Sequence, residues 1–318
     1  MTRFILRRLL QGIPVLFLIS AIVFGVVAMI PGDPAMVILG QGATPENLTA
    51  VRERLGLDQP LPVRYAAWLG LVFTGDLGTS ILSRQPVADL IGRALPITLY
   101  LSVLALALAV AISVPAGTIA ALRRNTWADL LFTAWAFLGV SVPGFWLAMM
   151  LVYLFGVRLQ WVPLEGYVAL GTNLSASLRT MALPAFTLGV FLSGPLTRYL
   201  RSSVLETVSQ EFVVVARAKG LTERVVIGRH VLRTSLLPFV TMLGLQVGYL
   251  LGGAVVIENV FALPGIGDLA VSAIGNRDYP VIQGVVLVVA TGVVATNILV
   301  DILYAALDPR IGFSRETG

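Results

Sequence analysis

The chain has 318 residues, of which 57% are hydrophobic and only 12% charged, and its mean hydropathy is +0.89. A soluble domain carries about 25% charged residues, so this composition leaves too little polar surface for a water-exposed globule. Cysteine is absent and His230 is the single histidine, which excludes disulfides and any zinc or haem site built from the usual ligands.

Charge-free runs cover Leu9–Gly32, Ile97–Leu122, Leu130–Val157, Thr180–Thr197, Thr234–Ile257 and Tyr279–Val300. Each is long enough for a membrane-spanning helix, which takes roughly 17–25 mostly apolar residues. The expected fold class is therefore an all-α integral membrane protein with six transmembrane helices, one transmembrane domain over 1–318. Arg7 and Arg8 before the first run mimic a signal peptide. The run is too long for a signal core, however, and Pro31-Gly-Asp-Pro34 follows in place of an Ala-x-Ala site, so we read a retained first span. The prolines end it.

The loop over 31–96 is too long to be a plain connector. It is predicted to hold a short helix capped by Thr44, with Pro45 in its first turn and Gly56 at its end. Leu48, Val51 and Leu55 recur at helical spacing on one face. Tyr65–Phe73 is apolar but too short to span, and is expected to lie against the membrane surface or pack under that helix. Span 2, about Ile97–Ala121, returns through Arg123-Arg-Asn125. Span 3, about Leu130–Phe155, is expected to kink at Pro143-Gly144. A second loop covers Gly156–Arg179, and span 4 holds Pro184 and Pro195. A polar island occupies 198–235. Span 5, about Leu236–Ile257, carries Gly244, Gly248 and Gly252 four apart, a smooth face for close helix packing within the chain or onto a partner subunit. Span 6 covers about Val281–Leu303, with Asp301 near its end. Glu258 and Asp268 could hold a cation or a peptide amine, but the favoured reading places them in external loops, bonded to neighbouring backbone.

With six spans both termini lie on one side. Arg3, Arg7, Arg8, Arg123, Arg124, Arg198, Arg201, Arg217, Lys219, Arg224, Arg229, Arg233, Arg310 and Arg315 share it, 14 of the 22 basic residues. Positive excess marks the cytoplasmic face, so both termini are expected there and 31–96 becomes extracytoplasmic. The net charge of +5 is then a topology signal, and membrane lipid rather than nucleic acid is the expected surroundings.

A phosphate-binding P-loop needs Gly-Lys followed by Ser or Thr. Lys219 is the only lysine and lies in Ala218-Lys219-Gly220, so an ATP-driven mechanism needs separate ATPase chains. Within the island, Ala216 and Ala218 are small enough for close approach by a docked protein. Gly220 can take a positive φ and break a helix, and Thr222 can cap a second one with Glu223 at its N-terminus. Arg217, Lys219 and Arg224 offer charge, while Val213, Val214, Val225 and Val226 offer apolar contact. On charge alone, a solvated or headgroup-bound basic loop is the favoured reading.

Ala216-Arg-Ala-Lys-Gly220, His230-x-Leu232-Arg233 and Pro238 resemble the coupling loop of permease subunits in bacterial dipeptide, oligopeptide and glutathione ABC importers. The wider superfamily has Glu-Ala-Ala where this chain has Val214-Val215-Ala216, a departure shared by the peptide subfamily. Pro31-Gly-Asp-Pro34, Leu55-Gly-Leu-Asp-Gln-Pro-Leu61, Gly75-Asp-Leu-Gly78, Ile257-Glu-Asn-Val-Phe261, Pro264-Gly-Ile-Gly267 and Arg277-Asp-Tyr-Pro280 resemble the same permeases, specifically the first of the pair. The resemblance covers nearly the whole chain. It implies a type I ABC importer permease fold in a bacterial inner membrane and a chain that is not itself an enzyme. The implied partners are a homologous second permease, two ATP-binding subunits carrying ATP and Mg, and an extracytoplasmic solute-binding protein. It assigns ATPase coupling to Glu211, Ala216, Arg217, Ala218, Lys219, Gly220, Leu221 and His230.

Polar positions on spans 3 to 5, Ser141, Thr187 and Thr241, are candidates for the translocation path, or each bonds a carbonyl of its own helix. The rival reading is an ion-coupled carrier or channel, which would place ionisable residues at mid-span; none of the six runs does so. An intramembrane enzyme lacks His-Glu-x-x-His and a second histidine or cysteine.

Overall fold

A computed structural model describes residues 2–29, 34–39, 44–54, 56–162 and 166–307. The Pro31–Asp33 stop, Leu55, Arg310 and Arg315 lie outside the described residues. Among these residues the secondary structure is helical, with one isolated β-bridge between Thr79 and Pro86. Five helices are long and apolar enough to cross a membrane, and six spans result if one bent pair counts as one. The chain divides into two compact units.

The first unit takes residues 6–98 and 264–294. It contains most of α1 (Thr2–Met29), α2 (Pro34–Leu39), α3 (Pro45–Arg54), α4 (Leu61–Phe73), the start of α5 (Val87–Leu122), α12 (Ile266–Gly275) and the first half of α13 (Tyr279–Leu307). Its core joins Val87, Ile91 and Ala94 of α5 to Ile266 and Ala273 of α12 and to Val281, Ile282 and Val285 of α13. Gly284 permits that approach, since a Cβ there would stand 2.6 Å from Val87 Cγ1.

The predicted helix after Thr44 is α3, and Thr44 Oγ1 accepts from Asn47 N–H at 3.3 Å. Gly56 ends it with φ +62°. Of the two expectations for Tyr65–Phe73, packing against a helix is realised, but the helix is α1. Tyr65 Oη lies 2.8 Å from Ser20 Oγ, and the Tyr65 and Trp68 rings sit 5.5 and 5.7 Å from the Phe24 ring. The loop between α4 and α5 is held by Asp278, 4% exposed. Its carboxylate accepts from Ser80 Oγ at 2.5 Å and from the N–H groups of Ile81 and Leu82.

The second unit takes residues 1–5, 99–263 and 295–318. Beyond α5 come α6 (Trp127–Ser141), α7 (Gly144–Leu151) running into a π-helical turn over Val152–Arg158, α8 (Leu174–Val208), α9 (Glu211–Ala218), α10 (Glu223–Val225), a second π-helical turn over Val226–Val231, and α11 (Leu232–Val260). The expected kink of span 3 is a break: α6 and α7 meet at 101° across Val142-Pro143.

Helix α8 is the axis of this unit, with α6 and α11 packed along it. Leu188, Leu192, Leu196, Leu200 and Val204, each four residues on from the last, are all buried, one ridge of a helix. Span 4 is longer than the predicted Thr180–Thr197 at both ends. Asn173 caps its start by accepting from Ala176 N–H at 3.1 Å, and the helix runs through Pro184 and Pro195 to Val208. Burial along its length outweighs the two missing backbone donors. A Cβ on Gly194 would meet the Ala136 carbonyl oxygen at 2.8 Å, so α6 and α8 touch backbone to backbone. Of the span 5 glycines, Gly244 serves packing within the chain, because a Cβ there would overlap Val300 of α13.

Glu258 corrects its expectation. It lies inside α11 and is fully buried, not in an external loop. Asp268 sits in the first turn of α12.

Candidate functional site

The polar island begins later than predicted, because residues 198–208 continue α8. After Ser209 the chain forms α9, which is amphipathic in a compact way. Val213 and Ala216, three apart, are buried on its inner face, while Val214 (58%) and Val215 (51%) are exposed with Phe212. This corrects two expectations. Ala216 and Val213 pack inward rather than facing a docked protein, and Val226 is also buried. The exposed apolar set is Phe212, Val214, Val215, Leu221 and Val225.

Gly220 has φ +75°, as the sequence predicted. Its N–H donates to the Arg217 carbonyl at 2.9 Å, and Leu221 N–H donates to the Ala216 carbonyl at 3.4 Å. This is the double closure of a Schellman motif, which satisfies the last carbonyls of α9 and needs a left-handed residue at the glycine. Leu221 leaves that bend exposed.

Thr222 does not cap with its side chain. Its backbone carbonyl instead accepts from Val225 N–H at 2.9 Å and Val226 N–H at 3.0 Å. Glu223 is engaged elsewhere: Arg217 Nε donates to Glu223 Oε1 at 2.7 Å, and Nη2 reaches Oε2 at 3.4 Å. The pair spans the bend and removes Arg217 from the set of uncommitted cations. Lys219, Arg224, Arg229 and Arg233 are exposed, as are Glu211 and Ala218. His230 is half-buried in the second π-helical turn, where its backbone carbonyl accepts from Thr234 Oγ1 at 3.0 Å.

Sequence reading missed the hydroxyl groups that hold the base of this segment. Ser203 Oγ donates to the Ser235 carbonyl at 3.1 Å, and Ser235 Oγ bonds Thr207 Oγ1 at 2.9 Å and the Ser203 carbonyl at 3.3 Å. They stitch the end of α8 to the start of α11. The spacing of Ser203 and Thr207, one helical turn apart, was the available signal. Below them, Arg201 on α8 is held by Asp129 on α6.

The path candidates separate. Thr187 is fully buried, and its Oγ1 donates to the Leu183 carbonyl at 2.8 Å within its own helix. Ser141 and Thr241 are exposed. The described residues contain no group of three or more His, Asp or Glu that could hold a metal ion.

The segment is a short helix with an apolar outer face and exposed cations, set between the two long helices α8 and α11. Comparisons with known proteins give the family. Residues 113–313 match the model of the binding-protein-dependent transport system inner membrane component, and residues 1–102 match the N-terminal part of such membrane components. A protein of Brucella suis biovar 1, named provisionally as a peptide transport system permease protein, is 44% identical over 98% of this chain and 100% of its own length. The glutathione transport system permease protein GsiC of Escherichia coli O6:H1 is 41% identical over 98% and 100%. Among solved structures, the MetNI methionine ABC transporter in an inward-facing conformation aligns with TM-score 0.56 at 16% identity, covering 69% of this chain and 96% of that one. An amino acid ABC transporter aligns with TM-score 0.51 at 14% identity, covering 70% and 94%. The chain therefore belongs to the family of inner-membrane components of binding-protein-dependent transport systems.

Proposed function

We propose that this chain is one half of the membrane pore of an importer for short peptides or glutathione-like solutes. A second, homologous permease forms the other half. Two ATPase chains drive it from the cytoplasm and an extracytoplasmic binding protein delivers solute. Both termini and the α9 segment lie on the cytoplasmic side, supported by the excess of arginine there. The chain supplies no catalytic group, and ATP and Mg belong to its partners.

The observation that carries the reading is α9 with its Schellman bend. A short helix that turns apolar Phe212, Val214 and Val215 outward while Val213 and Ala216 anchor it inward suits insertion into a groove on a moving partner. Glu211, Ala218, Lys219, Gly220, Leu221 and His230 form or flank that surface. Arg217 sets the bend through Glu223, and Ala216 seats the helix. The solute class is taken from the names of the full-length relatives.

Purifying the chain from its native membrane in mild detergent tests this. A second permease and an ATPase are expected in stoichiometric amounts, with ATP-dependent peptide uptake after reconstitution. Recovery of the chain alone, active without ATP, would overturn the reading in favour of an ion-coupled carrier.

A further inference from the structure

The unit formed by residues 6–98 and 264–294 carries an open cavity of about 1170 Å³. That exceeds the roughly 300–1,000 Å³ of ordinary small-molecule sites. It lies beside the end of α1, under α4 and the loop that Asp278 holds. Phe24, Trp68 and Leu71 give it an apolar wall, and the Phe24–Trp68 ring contact fixes part of that wall. Gln283, almost fully buried on α13, is also in the lining.

The charges around this cavity are the informative part. Arg52 is spent on Asp58, Nη2 to Oδ1 at 2.8 Å. Arg64 and Arg84 line the cavity with no acidic partner among the described residues, and Glu53 and Asp76 line it with no basic one. Asp76 uses Oδ1 to accept from Gly78 N–H at 2.8 Å, which leaves its charge uncompensated. Two cations and two anions thus share the lining with apolar side chains, and among the described residues none of the four forms an ion pair. Their complement is a molecule that carries an ammonium and an acid anion at its two ends with apolar substance between.

We propose that this cavity is a binding site for such a zwitterion, Arg64 and Arg84 receiving the acid group and Glu53 and Asp76 the ammonium. A short peptide has this chemistry, and so does an aminophospholipid headgroup. The peptide as source rests on the transport reading above; the site itself does not.

The test uses the co-purified transporter in phosphatidylcholine nanodiscs, without ATP or binding protein, titrated calorimetrically with trialanine. Wild type is expected to bind, and N-acetyl-trialanine amide to bind at least about tenfold more weakly, since a hydrogen bond to a charged group contributes about 1.5–3 kcal/mol. Arg64→Gln with Arg84→Gln should weaken trialanine similarly, and Arg64→Lys with Arg84→Lys should restore most of it. Equal binding of the capped peptide, equal binding by the glutamine variant, or no binding in wild type overturns the proposal. If phosphatidylethanolamine in the nanodisc displaces trialanine from wild type but not from the glutamine variant, the site stands and its occupant is the lipid. ATP-driven uptake is scored separately. Its failure in wild type would sink the transport reading while leaving the binding result intact.

Discussion

Arg201 holds Asp129 with both arms of its guanidinium, Nε to Oδ1 and Nη2 to Oδ2 at 2.7 Å each, across 72 residues of sequence. The carboxylate is completed by Asn125 N–H at 3.0 Å and Thr133 Oγ1 at 3.2 Å. One buried acid thus fixes the turn after α5, the start of α6 and the C-terminal half of α8 together.

Arg201→Lys keeps the charge but cannot match the planar fork. It is expected to destabilise the detergent-solubilised protein by about 1–2 kcal/mol, while Asp129→Ala, which strands Arg201, should cost about 3 kcal/mol or more. Thermal unfolding followed by intrinsic tryptophan fluorescence reads both. Equal midpoints in all three proteins would show that the pair is incidental.

Gly220 is the position where a side chain conflicts with the backbone, since a non-glycine residue at φ +75° pays about 1–2 kcal/mol. The space around it is open, with nothing within 4 Å of a built Cβ. A large residue there should therefore fold yet obstruct whatever docks. Gly220→Trp is expected to insert normally and to lose ATP-driven uptake. Uptake at the wild-type rate would remove the docking role from the bend.

Arg217 and Glu223 bridge the same bend with both side chains largely exposed. Such a pair adds little to stability, about 0–1 kcal/mol, so its consequence is geometric. Arg217→Glu alone should reduce uptake, and Arg217→Glu with Glu223→Arg should recover much of it, because the reversed pair can close the same span. If the double variant is as impaired as the single one, Arg217 acts on a partner directly rather than through Glu223.

The spans were legible because hydrophobic length is a local property, and so was the Gly220 bend, because a left-handed glycine after a short helix leaves its mark within a few residues. What escaped the sequence depended on distant partners. Asp129 stands one residue before a charge-free run and looked like a boundary until Arg201 met it. Val213, Ala216 and Val226 differ from Val214, Val215 and Val225 only in which face α9 and its neighbours bury. The length of α8 was underestimated because Pro184 and Pro195 argue locally against a helix that tertiary burial sustains. The paired charges at Arg217 and Glu223 looked like separate features, a docking cation and a helix-end anion.

Ser235 offers the sharpest separation of stability from coupling. Its hydroxyl is fully buried and joins α11 to Thr207 and Ser203 on α8, at the base of the segment. Ser235→Ala removes those links but leaves Thr207 its bond to the Ser203 carbonyl at 2.7 Å, so no donor is stranded and the expected loss is about 1 kcal/mol. The α9 segment then hangs from a looser joint. If motion passes from an ATPase through α9 into α8 and α11, the variant should hydrolyse ATP at a near-normal rate while importing less solute per ATP. Simultaneous uptake and hydrolysis in proteoliposomes measures that ratio. An unchanged ratio would mean that the hydroxyl bridge holds the fold together without carrying the coupling.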